Sequence, residues 1–351
     1  MGIILLVTCM KENKISSINL LIIFFLSYSF YITQILTQQL FHEFNKQCVF
    51  IICIFQLLFP VTTYLVCKII NSNKIKENTK NRFAFHIISA IYLLVTVLIS
   101  ILNVTNIIVL YYYQETSYII LLIAITIPLI YTLIKGDHHF FSLSIILLII
   151  YSTFKYSYLT NMSSMDFYVF YNILKIEKSN ILLIIIYSAP ILLEPLLLLN
   201  SKKIIANKIN IKATLTFSIL ISLIGVLTIL RQTWEYGELL NQIRFPYLES
   251  IKNIIAGKFF ENIDFYYLLS LSVSIYIRLG YSFITIKNSL NLNKIITISL
   301  IFLLLILVFI VQRSMDLYLF SIDKILIISS TCLLLCFILL PLSIRRKHKH
   351  A

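Results

Sequence analysis

The sequence predicts an all-α, multi-pass membrane protein with about ten transmembrane helices. Of its 351 residues, 59% are hydrophobic and only 13% are charged, and the mean hydropathy is +0.92. Soluble proteins have about 25% charged residues, so this composition excludes a soluble enzyme, a secreted disulfide scaffold and a disordered chain. Apolar runs of about 20 residues, the length needed to cross a bilayer core of about 30 Å, recur from one end of the chain to the other.

The apolar runs divide the chain into ten predicted spans in a single transmembrane domain. Ten spans form two halves of five, and an odd number of crossings inverts the second half relative to the first, which is the plan of many secondary transporters. We therefore predict a 5+5 inverted repeat. The predicted limits are 16–40, 47–69, 84–111, 117–134, 140–159, 180–200, 213–231, 265–286, 295–312 and 324–343.

The distribution of charge predicts how the chain is oriented. If the N-terminus is cytoplasmic, most Lys and Arg residues fall in inner segments, as the positive-inside rule requires. Most acids then fall outside, although acids contribute little to the rule. We therefore predict that both termini are cytoplasmic. The net charge of +14 then reflects inner loops facing the bilayer surface and does not indicate nucleic-acid binding.

Two predicted outer loops, 160–179 and 232–264, are long enough to hold structure of their own. The second contains an amphipathic stretch that predicts a helix on the outer surface or over a cavity mouth. Its apolar face consists of Leu248, Ile251, Ile255 and Phe259.

Polar side chains follow helical spacing in three of the predicted spans. A single Ser or Thr commonly bonds to its own helix or to a neighbouring one. Three stripes that include Gln, Asn, Tyr and Arg instead favour a shared polar cavity. The stripes are Ser27, Tyr31, Gln34 and Gln38 in span 1; Ser89, Tyr92, Thr96, Ser100 and Asn103 in span 3; and Tyr267, Ser270, Ser274, Arg278, Tyr281 and Thr285 in span 8.

Span 6 carries Ser188, Pro190, Glu194 and Pro195 in mid-membrane. Each proline removes a backbone donor and clashes with the preceding turn, so the sequence predicts a kinked or discontinuous helix. A discontinuous helix would offer freed carbonyls and a half-helix N-terminus to an ion or a carboxylate. A simple proline kink is the alternative.

Two charged side chains lie deep in predicted spans. Glu194 and Arg278 are each about 20 Å from the outer end of their helix, at 1.5 Å per residue. Either one alone would cost several kcal/mol in hydrocarbon. Their equal depth predicts an ion pair, and both a structural role and contact with a ligand remain open for it.

No motif for catalysis, for a cofactor or for a metal ion occurs in the sequence. G-x-S-x-G, H-E-x-x-H, the P-loop and G-x-G-x-x-G are all absent. We therefore predict that the protein is not an enzyme and that it has no cofactor.

Several loose motifs resemble one known family. They are Phe245-Pro246-Tyr247-Leu248, the run from Gly257 to Asp264, Ile277-Arg278, Lys14-Ile15-Ser16, Gly136, and the order of proline and then glutamate in span 6. Together they are similar to the spore germination permeases, the B subunits of nutrient germinant receptors, in the amino acid–polyamine–organocation transporter superfamily. Two features depart from the family. Asn262 stands where the family usually has Arg, and span 1 contains no Gly or Pro although an unwound first helix is expected. Two alternatives follow for span 1: a break at Ser27–Ser29, or no break.

The resemblance implies a LeuT-like transporter fold in which spans 1, 3, 6 and 8 surround the substrate. It implies a small germinant, typically an amino acid, and two partners, an A-type membrane subunit and a C-type lipoprotein, in the cell membrane or spore inner membrane. Pro190 would mark the helix break, Glu194 would recognise an amine, and Arg278 would recognise a carboxylate. The predicted ligand-binding residues are Ser27, Tyr31, Gln34, Tyr92, Thr96, Ser188, Pro190, Glu194, Ser274 and Arg278.

Two other functions fit the sequence. The first is an amino-acid permease of the same fold, coupled to protons or sodium. The second is a membrane enzyme or flippase of surface polysaccharide assembly, for which Arg244 and Asp264 in the outer loop are the supporting residues.

Overall fold

The computed structural model describes residues 15–72, 80–111, 118–160, 181–243, 245–252, 263–313 and 315–343, and most of them are helical. The α-helices are α1 (Ser17–Phe30), α2 (Thr37–Phe44), α3 (Val49–Asn71), α4 (Lys80–Tyr111), α5 (Tyr118–Lys135), α6 (Asp137–Ser142), α7 (Ser144–Thr160), α8 (Ile181–Leu193), α9 (Ile211–Tyr236), α10 (Pro246–Lys252), α11 (Ile263–Leu290), α12 (Lys294–Arg313) and α13 (Met315–Ser343). A π-helical turn, Tyr31–Leu36, joins α1 to α2, and 3₁₀ segments cover Asn45–Cys48, Glu194–Ile204 and Gly237–Asn241.

Within the residues that the structure describes, six stretches are long and apolar enough to cross a membrane. Three shorter apolar helices accompany them, at Ile119–Lys135, Ser144–Thr153 and Ile327–Pro341. The predicted class is therefore confirmed, and the chain is a multi-pass helical membrane protein. The number of spans stays a prediction. The six stretches are Ser17–Asn71, Lys80–Val109, Ile181–Lys202, Ile211–Tyr236, Tyr267–Leu290 and Lys294–Arg313.

The first of these stretches is 55 residues long, more than twice the length that one crossing needs. It turns at Asn45, whose φ of 50° is a left-handed value that asparagine adopts more readily than most residues. The turn separates α2 from α3.

Burial separates the inner helices from the outer ones. In α1, every residue from Leu20 to Phe30 is buried, so this helix lies inside the bundle. A helix that is apolar over most of its surface and is packed on all sides belongs to the core. By contrast α12 exposes Phe302, Leu303 and Ile306 on one face. An exposed apolar face of this kind suits contact with acyl chains.

Backbone hydrogen bonds attach the start of α1 to the end of the Glu194–Ile204 segment. The Ile15 N–H donates to the Ile204 carbonyl at 2.8 Å, and the Ala206 N–H donates to the Ile15 carbonyl at 3.0 Å. Nearby, Asn71 at the end of α3 exchanges two hydrogen bonds with the backbone of Ile209, at 2.9 and 3.0 Å. These bonds fix α1 and α3 against the segment that begins with Glu194.

Candidate functional site

The site is organised around an ion pair between Glu194 and Arg278. Arg278 Nη1 donates to Glu194 Oε1, and neither side chain has any exposed surface. Among the described residues, no other charged side chain has an exposure of 0%. The structure thus contains the pair that the equal depth of the two residues predicts. Because each partner neutralises the other, the site as a whole has no net charge.

Arg278 also contacts two of the polar stripes predicted from the sequence. Its Nη1 donates to Ser27 Oγ at 3.1 Å, and its Nη2 donates to Thr96 Oγ1 at 2.8 Å. The guanidinium carbon lies 4.4 Å from the centroid of the Tyr31 ring, which is within the range of a cation–π interaction. Helices from predicted spans 1, 3, 6 and 8 therefore meet at a single side chain.

The helix carrying Ser27 and Tyr31 has a local irregularity beside Arg278. Residues Tyr31–Leu36 form a π-helical turn, in which the Thr37 N–H bonds to the Ile32 carbonyl five residues earlier. The Thr37 hydroxyl donates to the same carbonyl at 2.7 Å. The predicted break at Ser27–Ser29 is wrong, since those residues lie in regular α-helix. Isolated π-turns within α-helices are frequent at functional sites.

The predicted discontinuity in span 6 is present, but it lies after Pro190. Pro190 stays inside α8, and the backbone changes from α-helix to a 3₁₀ segment at Glu194, with Pro195 in its first turn. A proline within a transmembrane helix is tolerated when neighbouring groups satisfy the freed carbonyl. The break therefore coincides with the charged residue, and Glu194 is the first residue of the 3₁₀ segment.

Tyr28 satisfies the carbonyl that Pro195 leaves without a helical donor. Pro195 has no N–H for the carbonyl of Ile191, four residues earlier, and the Tyr28 hydroxyl donates to that carbonyl at 3.0 Å. The side-chain amide of Gln56 lies 2.9 Å from the same hydroxyl. One hydroxyl has a single proton, so we assign the amide with its NH₂ group towards Tyr28. With that assignment, the Tyr28 proton goes to Ile191 and the Tyr28 oxygen accepts from Gln56.

Replacing Tyr28 with phenylalanine should therefore destabilise the folded protein at the helix break in span 6. The variant keeps the ring, which stacks on Phe59 at a centroid distance of 3.8 Å, but it leaves the buried Ile191 carbonyl without a donor. We expect a loss of about 1–3 kcal/mol in stability, measured as thermal unfolding in detergent. Tyr131→Phe is the matched control because Tyr131 is exposed on the apolar surface of α5. Equal melting temperatures for the two variants would contradict the assignment.

Several buried polar atoms at the site are unused by the described residues. Glu194 Oε2 and Arg278 Nε have no hydrogen-bond partner there. The hydroxyl of Tyr31 is within reach of Tyr92 and Ser329, and that of Tyr92 is within reach of Arg278, although neither hydroxyl has full hydrogen-bond geometry. The two tyrosine rings pack edge to face, with centroids 6.4 Å apart. Leaving a buried polar atom unpaired costs about 1–3 kcal/mol. Glu194 Oε2 and Arg278 Nε therefore require a polar partner beyond the described side chains, either water or a bound solute.

The remaining predicted ligand-binding residues are buried but are not joined to the ion pair by hydrogen bonds. Gln34 lies one helical turn beyond Tyr31, and its amide has no partner among the described residues. Ser188 is fully buried, with its hydroxyl equally unused there. Ser274 donates to the Ser270 carbonyl of its own helix at 2.6 Å. Their contact with a ligand stays a prediction.

Two residues at the site, Tyr28 and Gln56, were not predicted from the sequence. Both are fully buried, and they connect span 1 to the break in span 6 and to span 2. Gln56 gave a usable signal, because a glutamine in the middle of an apolar span needs a partner inside the protein. Tyr28 lies three residues before Tyr31 and so is at helical spacing with part of the polar stripe, but it is adjacent to Ser27 and the predicted stripe does not include it.

Parts of the two predicted outer loops lie outside the described residues. This applies to 161–180 and to 253–262, so Ile255 and Phe259 of the amphipathic stretch remain untested. The start of that stretch is helical, in α10 (Pro246–Lys252), and Leu248 is buried.

Comparison with known proteins gives a likeness of fold alone. No protein-family model and no curated protein sequence matches the chain. A crystal structure of a mutant manganese transporter from Eremococcus coleocola is similar over 93% of this chain and 76% of the transporter, with a TM-score of 0.51 and 12% sequence identity. The same transporter in complex with an aromatic bis-isothiourea compound gives a TM-score of 0.49 at 10% identity, over the same shares of the two chains. The chain thus shares the fold of a membrane transporter.

Proposed function

We propose that this protein is the transporter-like B subunit of a spore nutrient germinant receptor and that it binds a small germinant, an amino acid, beside Glu194 and Arg278. The observation that carries the proposal is the convergence of four polar helices on one buried ion pair. That pair leaves a carboxylate oxygen and a guanidinium N–H unused by the described residues. The fold shared with a membrane transporter supports a solute-binding role for such a site.

The chemistry of the unused atoms fits a zwitterion. Glu194 Oε2 is an acceptor for an ammonium group, and Arg278 Nε is a donor for a carboxylate. The ion pair is neutral as a whole, so a neutral zwitterion adds no net charge to a buried site, where an unbalanced charge is costly. The hydroxyls of Tyr31 and Tyr92 would serve the polar groups that remain.

The same proposal includes the ten-span, LeuT-like architecture with a 5+5 inverted repeat. Each predicted span overlaps a helical segment, and the turn at Asn45 divides the longest apolar stretch in two. The helices with π or 3₁₀ irregularities beside the ion pair are spans 1 and 6, which are the first helices of the two predicted halves. Irregular helices in corresponding positions of two halves are typical of transporters with inverted repeats.

A receptor must convert binding into a signal. The germinant must bind one conformation of the protein better than another, because a ligand with equal affinity for both conformations leaves the equilibrium between them unchanged. In this proposal the shift passes to an A-type membrane subunit and a C-type lipoprotein in the spore inner membrane, and both termini of the chain face the cytoplasm.

Tyr31→Phe tests the binding site without removing the ion pair. The variant keeps the ring that faces Arg278 and loses a hydroxyl that makes no well-formed hydrogen bond to a described residue, so the folded protein should be recovered near the wild-type level. We expect the germinant concentration for half-maximal germination to rise about tenfold, the effect of losing one hydrogen bond of about 1.4 kcal/mol. Tyr131→Phe serves again as the control on the exposed surface.

Deletion of the gene tests the receptor role as a whole. In an endospore former whose other germinant receptors are removed, spores lacking this gene should fail to respond to at least one amino acid, sugar or nucleoside. An unchanged response to every nutrient would overturn the receptor proposal.

The second candidate is an amino-acid permease coupled to protons or sodium, which the fold shared with a transporter favours. Uptake of a labelled amino acid into vesicles, increasing with an imposed ion gradient, would support it over the receptor. Manganese, the cargo named for the structural neighbour, does not suit the described site. Mn²⁺ prefers several oxygen ligands, and the carboxylate here is already paired with Arg278. Within the described residues, no three His, Cys, Asp or Glu side chains cluster.

The polysaccharide enzyme or flippase is the least supported of the candidates. It rests on Arg244 and Asp264, whose side chains lie outside the described part of the structure. The shared transporter fold adds weight to the receptor and to the permease instead.

A further inference from the structure

The guanidinium of Arg278 is held in the way that a protein holds a bound organic cation. One carboxylate, two hydroxyl oxygens and one aromatic face contact it. These groups come from α1, α4 and the Glu194–Ile204 segment, together with the π-turn after α1. Only the cation itself comes from α11.

Each contact suits a compact cation with several N–H donors. The charge-assisted bond to Glu194 is the strongest kind of hydrogen bond in a buried site. Ser27 Oγ and Thr96 Oγ1 accept from the two Nη atoms, and Thr96 uses its own proton for the Leu93 carbonyl at 3.0 Å. The face of the Tyr31 ring completes the surroundings of the positive charge. A planar guanidinium satisfies all four groups at once.

We propose that Glu194, Ser27, Thr96 and Tyr31 form a binding site for a small organic cation, and that Arg278 is the tethered occupant of that site. A free guanidinium or primary ammonium ion then binds only where the Arg278 side chain has been removed or has swung away. In the wild-type protein Arg278 occupies this position on Glu194 Oε1, so a free cation does not bind there, whereas Glu194 Oε2 stays available to the ammonium group of the proposed germinant. The inference does not depend on the germinant-receptor role.

Removing the tethered cation should expose the site to a free one. Arg278 is the largest fully buried side chain of the described residues, so Arg278→Ala removes a side chain whose volume a small cation can replace. We expect methylguanidinium chloride to raise the melting temperature of the purified Arg278→Ala protein in detergent by several degrees. The effect should be half-maximal at about millimolar concentration, the affinity within reach of so small a ligand.

Three comparisons test whether the rise in melting temperature comes from binding at the vacated Arg278 position. Wild type and Arg278→Lys, which both keep a tethered cation, should not respond to methylguanidinium. Arg278→Ala combined with Glu194→Gln should not respond either, because the carboxylate that binds the cation is gone. Tetramethylammonium chloride at the same ionic strength has no N–H donor and should leave the Arg278→Ala protein unchanged.

The proposal fails if Arg278→Ala and the double variant respond equally to methylguanidinium, or if neither responds. Where Arg278→Ala does not survive extraction, membranes are solubilised with and without methylguanidinium and the recovered monomer is compared. Recovery that increases with the cation for Arg278→Ala, but not for the double variant, supports the site. Recovery that is the same with and without the cation overturns it.

Discussion

Arg278→Met is expected to abolish most of the folded protein, whereas the double variant Arg278→Met, Glu194→Gln recovers much of it. The single substitution leaves the Glu194 carboxylate buried without its counter-ion, at a cost of about 3–5 kcal/mol. Since the free energy of unfolding of a native protein is only about 5–15 kcal/mol, this loss should reduce the monomer recovered from membranes several-fold. The double variant replaces both charges by neutral groups and removes that penalty. Monomer yield by fluorescence-detected size-exclusion chromatography, followed by thermal unfolding, measures both effects.

Two further variants complete the test of the ion pair. Glu194→Gln alone should lose a similar amount of folded protein, because it leaves the Arg278 guanidinium unpaired. Ser218→Ala is the matched control, since Ser218 is fully buried in α9 and bonds only to the Leu215 carbonyl of its own helix among the described contacts. If the losses of the two single variants simply add in the double variant, the pair contributes no coupling energy and the account of the site is wrong.

The sequence predicted the ion pair because helical rise converts a residue number into a depth. Glu194 and Arg278 were placed at one level by counting residues from the outer ends of their spans, without any knowledge of neighbouring helices. The cost of an isolated charge in hydrocarbon then left few alternatives to pairing. The same logic, applied to helical spacing, put Ser27, Tyr31 and Thr96 on faces that meet at Arg278 in the structure.

The local backbone at the site could not be predicted in the same way. The rule that proline breaks helices located a break near Pro190, but the α-helix ends just before Glu194, where Pro195 leaves the Ile191 carbonyl without a helical donor and Tyr28 provides one. The π-turn at Tyr31–Leu36 has no glycine or proline to indicate it. In both cases the deciding contact joins residues more than a hundred positions apart or depends on packing, and a single sequence contains no record of either.

A close helix contact near the site gives a second prediction of large effect. Gly280 lies two residues after Arg278 in α11, and a Cβ atom added there would overlap the ring of Phe140. That ring is fully buried and packs against Tyr276 at a centroid distance of 5.5 Å, so it has little freedom to move aside. Small residues permit such close approaches between transmembrane helices. Gly280 therefore sets how near α11, and with it Arg278, lies to α6.

Gly280→Val should destabilise the protein by about 3 kcal/mol, because the added methyl groups force α11 away from Phe140. Phe140→Ala alone leaves a cavity and should cost about 3–5 kcal/mol. In the double variant the valine enters the space of the lost ring. The double variant should therefore lose clearly less stability than the sum of the two single losses, when thermal unfolding is measured in detergent. Ser272→Ala, on the exposed side of the same helix, should leave the melting temperature unchanged. Strict additivity of Gly280→Val and Phe140→Ala would mean that the two residues do not meet in the folded protein, and the position of α11 at the ion pair would need to be set by other contacts.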